Sequence, residues 1–211
     1  MPIVTPDSQF WWNWWVSFAV AFGTLLTVAV ALFGDKLRAK LFPPRLNITL
    51  RSKEGEKTQL SNALTGQFLD DTRYYYILVS NARRWSPAEQ TQVFLTRLEE
   101  PGPSGELQVM WFGEIPIRWR NQEYVPVLRT IGPDADCDFC RVEKKGRLVL
   151  MPLVPANNLP TVWTEACKFV ATLQARSNLK DSRILRVLVA WDGQWDDGVE
   201  EMKKHLVIES A

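Results

Sequence analysis

Residues 10–33 read FWWNWWVSFAVAFGTLLTVAVALF, and no charged side chain occurs between Asp7 and Asp35. At about 1.5 Å per residue, a helix of this run covers roughly 36 Å, more than the ~30 Å hydrocarbon core of a bilayer. A lipid interior has no water to satisfy exposed peptide groups, so such a segment closes its hydrogen bonds internally, as a helix. The pattern predicts a short leader over 1–9 and a transmembrane helix over 10–34. Ala29-Val30-Ala31 has the small-x-small form of a signal-peptide cleavage site. The leader, however, lacks a basic n-region and the apolar run is long for a signal, which points to an uncleaved single-pass anchor.

The flanks give an expected orientation. Trp11, Trp12, Trp14 and Trp15 crowd one end, and indoles favour the headgroup layer, where an apolar ring and a hydrogen-bonding N–H are both satisfied. Lys36, Arg38, Lys40 and Arg45 follow the other end, whereas the leader holds only Asp7. By the positive-inside rule the N-terminus is expected outside and the larger C-terminal part in the cytoplasm, with lipids as the first partner. Along the helix Ala19, Gly23, Thr27 and Ala31 recur every fourth residue, a small-residue face that lets a second helix approach and predicts a homo-oligomer. Residues 35–44 form a basic juxtamembrane neck. Its Leu37, Leu41 and Phe42 keep helical spacing until Pro43-Pro44 stops it.

Residues 45–211 suffice for one domain with a real core. Twenty-five Lys and Arg against 24 Asp and Glu leave a net charge of +1. There is no global field to draw nucleic acid, which is not expected as a partner. Beyond Pro44 the period becomes two: Leu46, Ile48 and Leu50 alternate with Asn47, Thr49 and Arg51. Similar runs occur at Tyr74 to Val79, Thr91 to Leu98, Leu107 to Phe112, Tyr124 to Ile131, Arg147 to Leu153, Cys167 to Ala175 and Arg183 to Trp191. Turn formers separate them, among them Pro101-Gly102-Pro103-Ser104-Gly105 and Asp192-Gly193. The expected fold is mainly β, an antiparallel sandwich. Ser61 to Asp71 fits a short helix or a loop, and a short C-terminal helix should start at Asp196 or Asp197 and carry Val199, Met202 and Leu206 on its inner face through Leu206.

Arg73 to Asn81, ending Val79-Ser80-Asn81, then a polar turn with Pro87-Ala88, then Thr91 to Leu98, resembles the paired strands of bacterial immunoglobulin-like domains. With one N-terminal helix and a basic neck, the layout is similar to small bacterial single-pass membrane proteins of unsettled function. The resemblance implies an immunoglobulin-like sandwich and is silent on activity.

Candidate chemistry is sparse. Cys137-Asp138-Phe139-Cys140, with Cys167 and His205, has the makings of a zinc or redox site, but no second close pair exists and the flanking Asp134, Asp136 and Asp138 oppose a thiolate. Asp192 to Gly198 has the look of a calcium loop, yet Gln194, Asp197 and Lys203 occupy the wrong places. No Gly-rich phosphate loop or nucleophile elbow is present and His205 is the sole histidine, so no catalytic residues, metal or cofactor are expected. Arg83-Arg84-Trp85 and Arg118-Trp119-Arg120 alternate cations with aromatic faces, a mixture that holds a nucleotide, a single strand or headgroups if the two converge.

The function these features suggest is a non-enzymatic, membrane-anchored module that presents its domain to a protein partner. The alternative is a ligand-sensing membrane effector that oligomerises through its span. Replacing Gly23 by Ile fills the small-residue face, so a membrane two-hybrid assay should lose its self-association signal. An undiminished signal would remove helix pairing from the account.

Overall fold

A computed structural model describes residues 6–62, 64–121, 128–132, 134–154 and 156–211, with residues 6–8 and 35–39 described for their backbone alone. The chain divides into two compact units, Met1–Pro43 and Pro44–Ala211.

In the first unit leader, span and neck merge into one 36-residue helix, α1 (Pro6–Leu41). It starts on a proline, whose missing N–H costs nothing in the first turn. It stops before Pro43-Pro44, as a helix must when the next residues cannot donate and crowd the residue ahead of them. The 26-residue run Gln9–Gly34 is long and apolar enough to cross a membrane. Its side chains from Gln9 to Phe33 are exposed. Trp11, Trp14, Phe18 and Phe22 touch ring to ring along one stripe. Thr24 and Thr27 donate their hydroxyls to the carbonyls of Val20 and Gly23, one turn back, at 2.9 and 2.8 Å, which satisfies them within the helix.

The second unit is a mainly β sandwich built from two antiparallel sheets. The first holds β1 (Leu46–Leu50), β2 (Glu56–Ser61), β3 (Phe68–Asn81), β7 (Asp134–Glu143), β8 (Arg147–Leu150) and β9 (Val162–Trp163). Its order is β1-β3-β7-β8-β9, and β2 shares one side of the long β3 with β1. The second holds β4 (Ala88–Pro101), β5 (Leu107–Pro116), β6 (Arg129–Ile131), β10 (Cys167–Arg176), β11 (Leu185–Trp191) and β12 (Leu206–Ser210), in the order β12-β11-β10-β4-β5 with β6 also on β4. A seven-residue helix, α2 (Val199–His205), links β11 to β12.

Alternation fills the space between the sheets. Ile77 and Val79 face inward from β3, Phe169, Ala171 and Leu173 from β10, Val187, Val189 and Trp191 from β11, and Leu206 and Ile208 from β12. This period-two burial is what drives strands with one solvated face together.

Several expectations need correction. The strands of the immunoglobulin-like resemblance, β3 and β4, do not pair with each other: they lie in opposite sheets. Ser61 to Asp71 is neither helix nor plain loop, because β2 ends and β3 begins there around a turn at Leu64-Thr65. The C-terminal helix begins at Val199 and ends at His205, so Leu206 is buried as the first residue of a strand, while Met202 is buried and Val199 is exposed. Of the Tyr124 to Ile131 run only Arg129–Ile131 is seen as strand, since residues 122–127 lie outside the described residues.

The unforeseen β7 has a physical explanation. Acids disfavour strands, and β7 carries Asp134, Asp136, Asp138 and Glu143. Arginines, some remote and some on β7 and β8, neutralise the last three. Arg51 and Arg120 meet Asp136 at 2.6 and 3.7 Å, Arg118 meets Asp138 at 3.0 Å, and Arg141 and Arg147 meet the fully buried Glu143. A bulge opposite Tyr75 and Tyr76 inserts Phe139 into the ladder, so that Cys137, Phe139 and Cys140 all enter the core. Phe139→Ala should leave a cavity there. A loss of about 3–5 kcal/mol is expected, seen as a lower urea midpoint with an unchanged m-value.

Candidate functional site

The end of the sandwich where β1 starts is organised by one buried amide. Asn81, the last residue of β3, accepts hydrogen bonds from the backbone N–H groups of Arg45 (3.2 Å) and Arg83 (3.0 Å) through Oδ1. Its Nδ2 donates to the carbonyls of Ser86 (2.7 Å) and Ile131 (3.4 Å). One side chain thereby joins the first residue of β1's approach, both ends of the β3–β4 turn, and β6. The turn, residues 82–87, closes with the Ser86 N–H donating to the Arg83 carbonyl at 2.8 Å. It projects Arg84 and Trp85, the latter half exposed, into solvent, with the Arg83 guanidinium 6.0 Å from the indole. Arg84 and Trp85, together with Ser80, Ala82 and Asp134, line a shallow concavity of about 500 Å³.

The second basic–aromatic triplet also lies by β7. Trp119 is fully buried and Arg129 lies over its ring at 5.5 Å. Arg118 donates through Nε and Nη2 to Asp138, at 3.1 and 3.0 Å. Burial raises the Asp138 carboxyl above the usual carboxylate range, and the Arg118 bonds oppose that rise. Arg120 grips Glu56 and covers the Tyr76 ring at 4.4 Å. Arg84 and Trp85 share a concavity with Asp134 of β7, and the second triplet pairs with Asp136 and Asp138 of the same strand. Only the first presents an exposed indole.

A feature sequence reading missed is the edge of the second sheet. On its outer side β5 has no strand neighbour among the described residues, and Leu107, Val109 and Phe112 are exposed along it, Phe112 at 80%. Edges are normally guarded by charge or proline; here Glu106 precedes the strand, and Glu114, paired with Arg176 at 2.9 Å, and Pro116 lie toward its far end. Alternation marks this run as a strand, but whether its apolar residues face a core depends on the neighbour count, which is a tertiary property.

The thiols and acids singled out by spacing are placed as follows. Cys137 and Cys140 are buried, and burial raises both well above the ordinary thiol range. Cys167 is pushed up to about 11, also by burial. That is the reverse of what an activated nucleophile needs. Cys167 borders the same concavity as His205 and Asp192, which contact each other at 2.8 Å (Nδ1 to Oδ2), but no hydrogen bond ties the sulfur to that pair among the described residues. No group of three or more metal-ligating side chains occurs among the described residues.

In the Asp192 to Gly198 segment, Asp192 accepts from the Gln194 N–H and Asp196 from the Gly198 N–H, as turns do. Asp197 accepts from Lys57 at 2.6 Å and from Lys144 at 3.1 Å.

Of the other predicted residues, Trp11, Trp12, Trp14 and Trp15 are exposed near the start of α1 and Lys40 near its end, while the side chains of Lys36 and Arg38 lie outside the described residues. Ala19, Gly23, Thr27 and Ala31 are exposed, and a Cβ on Gly23 would meet nothing within 4 Å.

The hydrogen bonds from Lys57 and Lys144 hold the Asp197 carboxyl down at about 2. A depressed carboxylate stabilises the fold above its unfolded pKa, and that contribution is lost as pH falls from near 4 through about 2. Asp197→Asn should therefore flatten the fall in melting temperature across that window, and an unchanged acid limb would contradict the assignment. Comparison with protein families, with curated proteins and with solved structures gives no match to this chain.

Proposed function

We propose that this chain is a membrane-anchored, non-enzymatic interaction module: α1 crosses the bilayer with its N-terminus outside, and the sandwich, on the cytoplasmic side, binds a protein partner. The observation that carries the reading is the open edge of β5, with Leu107, Val109 and Phe112 exposed along it. Such an edge offers unpaired backbone donors and acceptors to an added strand, and alternate side chains to its pockets. Support for the anchor comes from the apolar run Gln9–Gly34, the tryptophans at its start and the cations after it. Because Arg118, Trp119 and Arg120 are committed to ion pairs and core, partner binding is favoured over ligand sensing.

A photoreactive phenylalanine analogue at Phe112, in cells, should give one discrete adduct. It should vanish when Val109→Lys charges the edge, and should be absent when the analogue replaces Leu64, which is equally open but lies in a turn. Identical adducts at both positions, or none at 112, would overturn the edge as the binding surface.

A further inference from the structure

We propose that the strand received by β5 is basic, with apolar side chains at alternate positions and Lys or Arg at the end beside the β4–β5 turn; this rests on the partner-binding reading above. The register of β5 on β4 sets the pattern. Leu107, Val109 and Phe112 stand opposite Pro101, Glu99 and Arg97, alternate residues of β4, and so share one face. Leu98, between Glu99 and Arg97, is buried in the core, which makes the shared face the outer one. Val109 and Phe112 lie three apart in sequence, but the ladder shifts by one residue between Leu98 and Glu99. That irregularity gathers the three exposed apolar side chains into one strip.

The charge along the hairpin has one sign. No Lys or Arg occurs in residues 98–117, which include Glu99, Glu100, Glu106 and Glu114. Arg97 and Arg186 hold Glu99, and Arg176 holds Glu114. Glu100 and Glu106 are exposed and enter no ion pair among the described residues. Exposed acids outside ion pairs occur elsewhere, Asp181 among them, but these two adjoin the strip: Glu106 precedes Leu107, and Glu100 lies across from Gln108. The turn end of the open edge is therefore an apolar strip closed by two carboxylates.

Charge complementarity selects the occupant. An added strand that lays alternate apolar side chains on the strip meets Glu100 and Glu106 at one end. A cation there forms an opposite-charge pair and an acid is repelled, so the edge discriminates by sign as well as by shape. At about 3.3 Å per residue, the strip from Leu107 to Phe112 takes a segment of roughly six residues. A second copy of this chain fits poorly at either edge of the second sheet. Its β5 brings no cation. The lysines beside its β12 already face acids of their own: Lys53 lies near Glu209, Lys203 holds Glu54 and Glu200, and Lys204 holds Glu201.

The test uses the full chain in cells, with the photoreactive phenylalanine analogue at position 112, and reads both the adduct yield and, by mass spectrometry, the crosslinked segment. That segment should come from another protein and carry Lys or Arg next to alternating apolar residues. Combining Glu100→Lys with Glu106→Lys should cut the yield by on the order of tenfold, and Glu100→Gln with Glu106→Gln by a smaller factor. Both double variants should melt at the wild-type temperature. If the Lys pair melts lower, the Gln pair, which removes charge at nearly constant size, decides the outcome. A yield that the deciding variant leaves unchanged overturns the basic strand while the edge stands as a binding surface. A captured segment that is neutral or acidic, or that belongs to this chain, does the same. No adduct at 112 in the otherwise unaltered chain overturns the edge, and this inference with it.

Discussion

The buried carboxamide of Asn81 is the constraint on which the arrangement of one whole end of the sandwich depends. Two acceptor and two donor contacts fix Arg45, Arg83, Ser86 and Ile131 about a single side chain. A buried amide that loses such partners costs about 1–3 kcal/mol per orphaned group, so the strand end, the turn and the start of the domain behave as one unit. That coupling puts the turn that carries the exposed Arg84 and Trp85 next to Arg45, at the start of the domain. No apolar residue at 81 could make these bonds.

A second set of interactions explains how the first sheet tolerates an acidic central strand. β7 lies between β3 and β8, and its carboxylates are met by arginines from the β1–β2 connection, from residues 118–120 and from β7 and β8 themselves. Tyr74 and Tyr76 stack at 6.2 Å on the same sheet, and Arg141 and Arg120 cover their rings. The result is a polar, ring-covered outer face over an apolar inner one. It also consumes Arg118 and Arg120, which is why two triplets of like composition end in different circumstances.

Legibility followed the range of the forces involved. α1, β1, β10 and β11 could be read from local period, because one solvated face imposes alternation and lipid imposes an unbroken apolar run. β2 and β7 could not, since β2 is exposed along almost its full length and β7 depends on cations far away in sequence. The inward turn of both Cys137 and Cys140 needs the bulge at Phe139; in a regular strand residues three apart face opposite ways. At the candidate surface, the Arg83-Arg84-Trp85 triplet could be found by composition, whereas Asn81 as its organiser and Phe112 on an open edge required the strand order. The pairing that the resemblance implied for β3 and β4 is not seen, since the turn of residues 82–87 carries the chain from one sheet to the other.

The proposed function joins an apolar N-terminal helix to a sandwich with an open apolar edge along its second sheet. In this proposal β5 receives a strand from the partner. Limited proteolysis of sealed vesicles tests the central claim most directly. In inside-out vesicles the protease should remove the sandwich and leave a membrane-retained fragment containing 9–34, while right-side-out vesicles keep the chain whole. Cleavage of the sandwich in right-side-out vesicles, or a fragment 9–34 that washes off the membrane, would contradict the account.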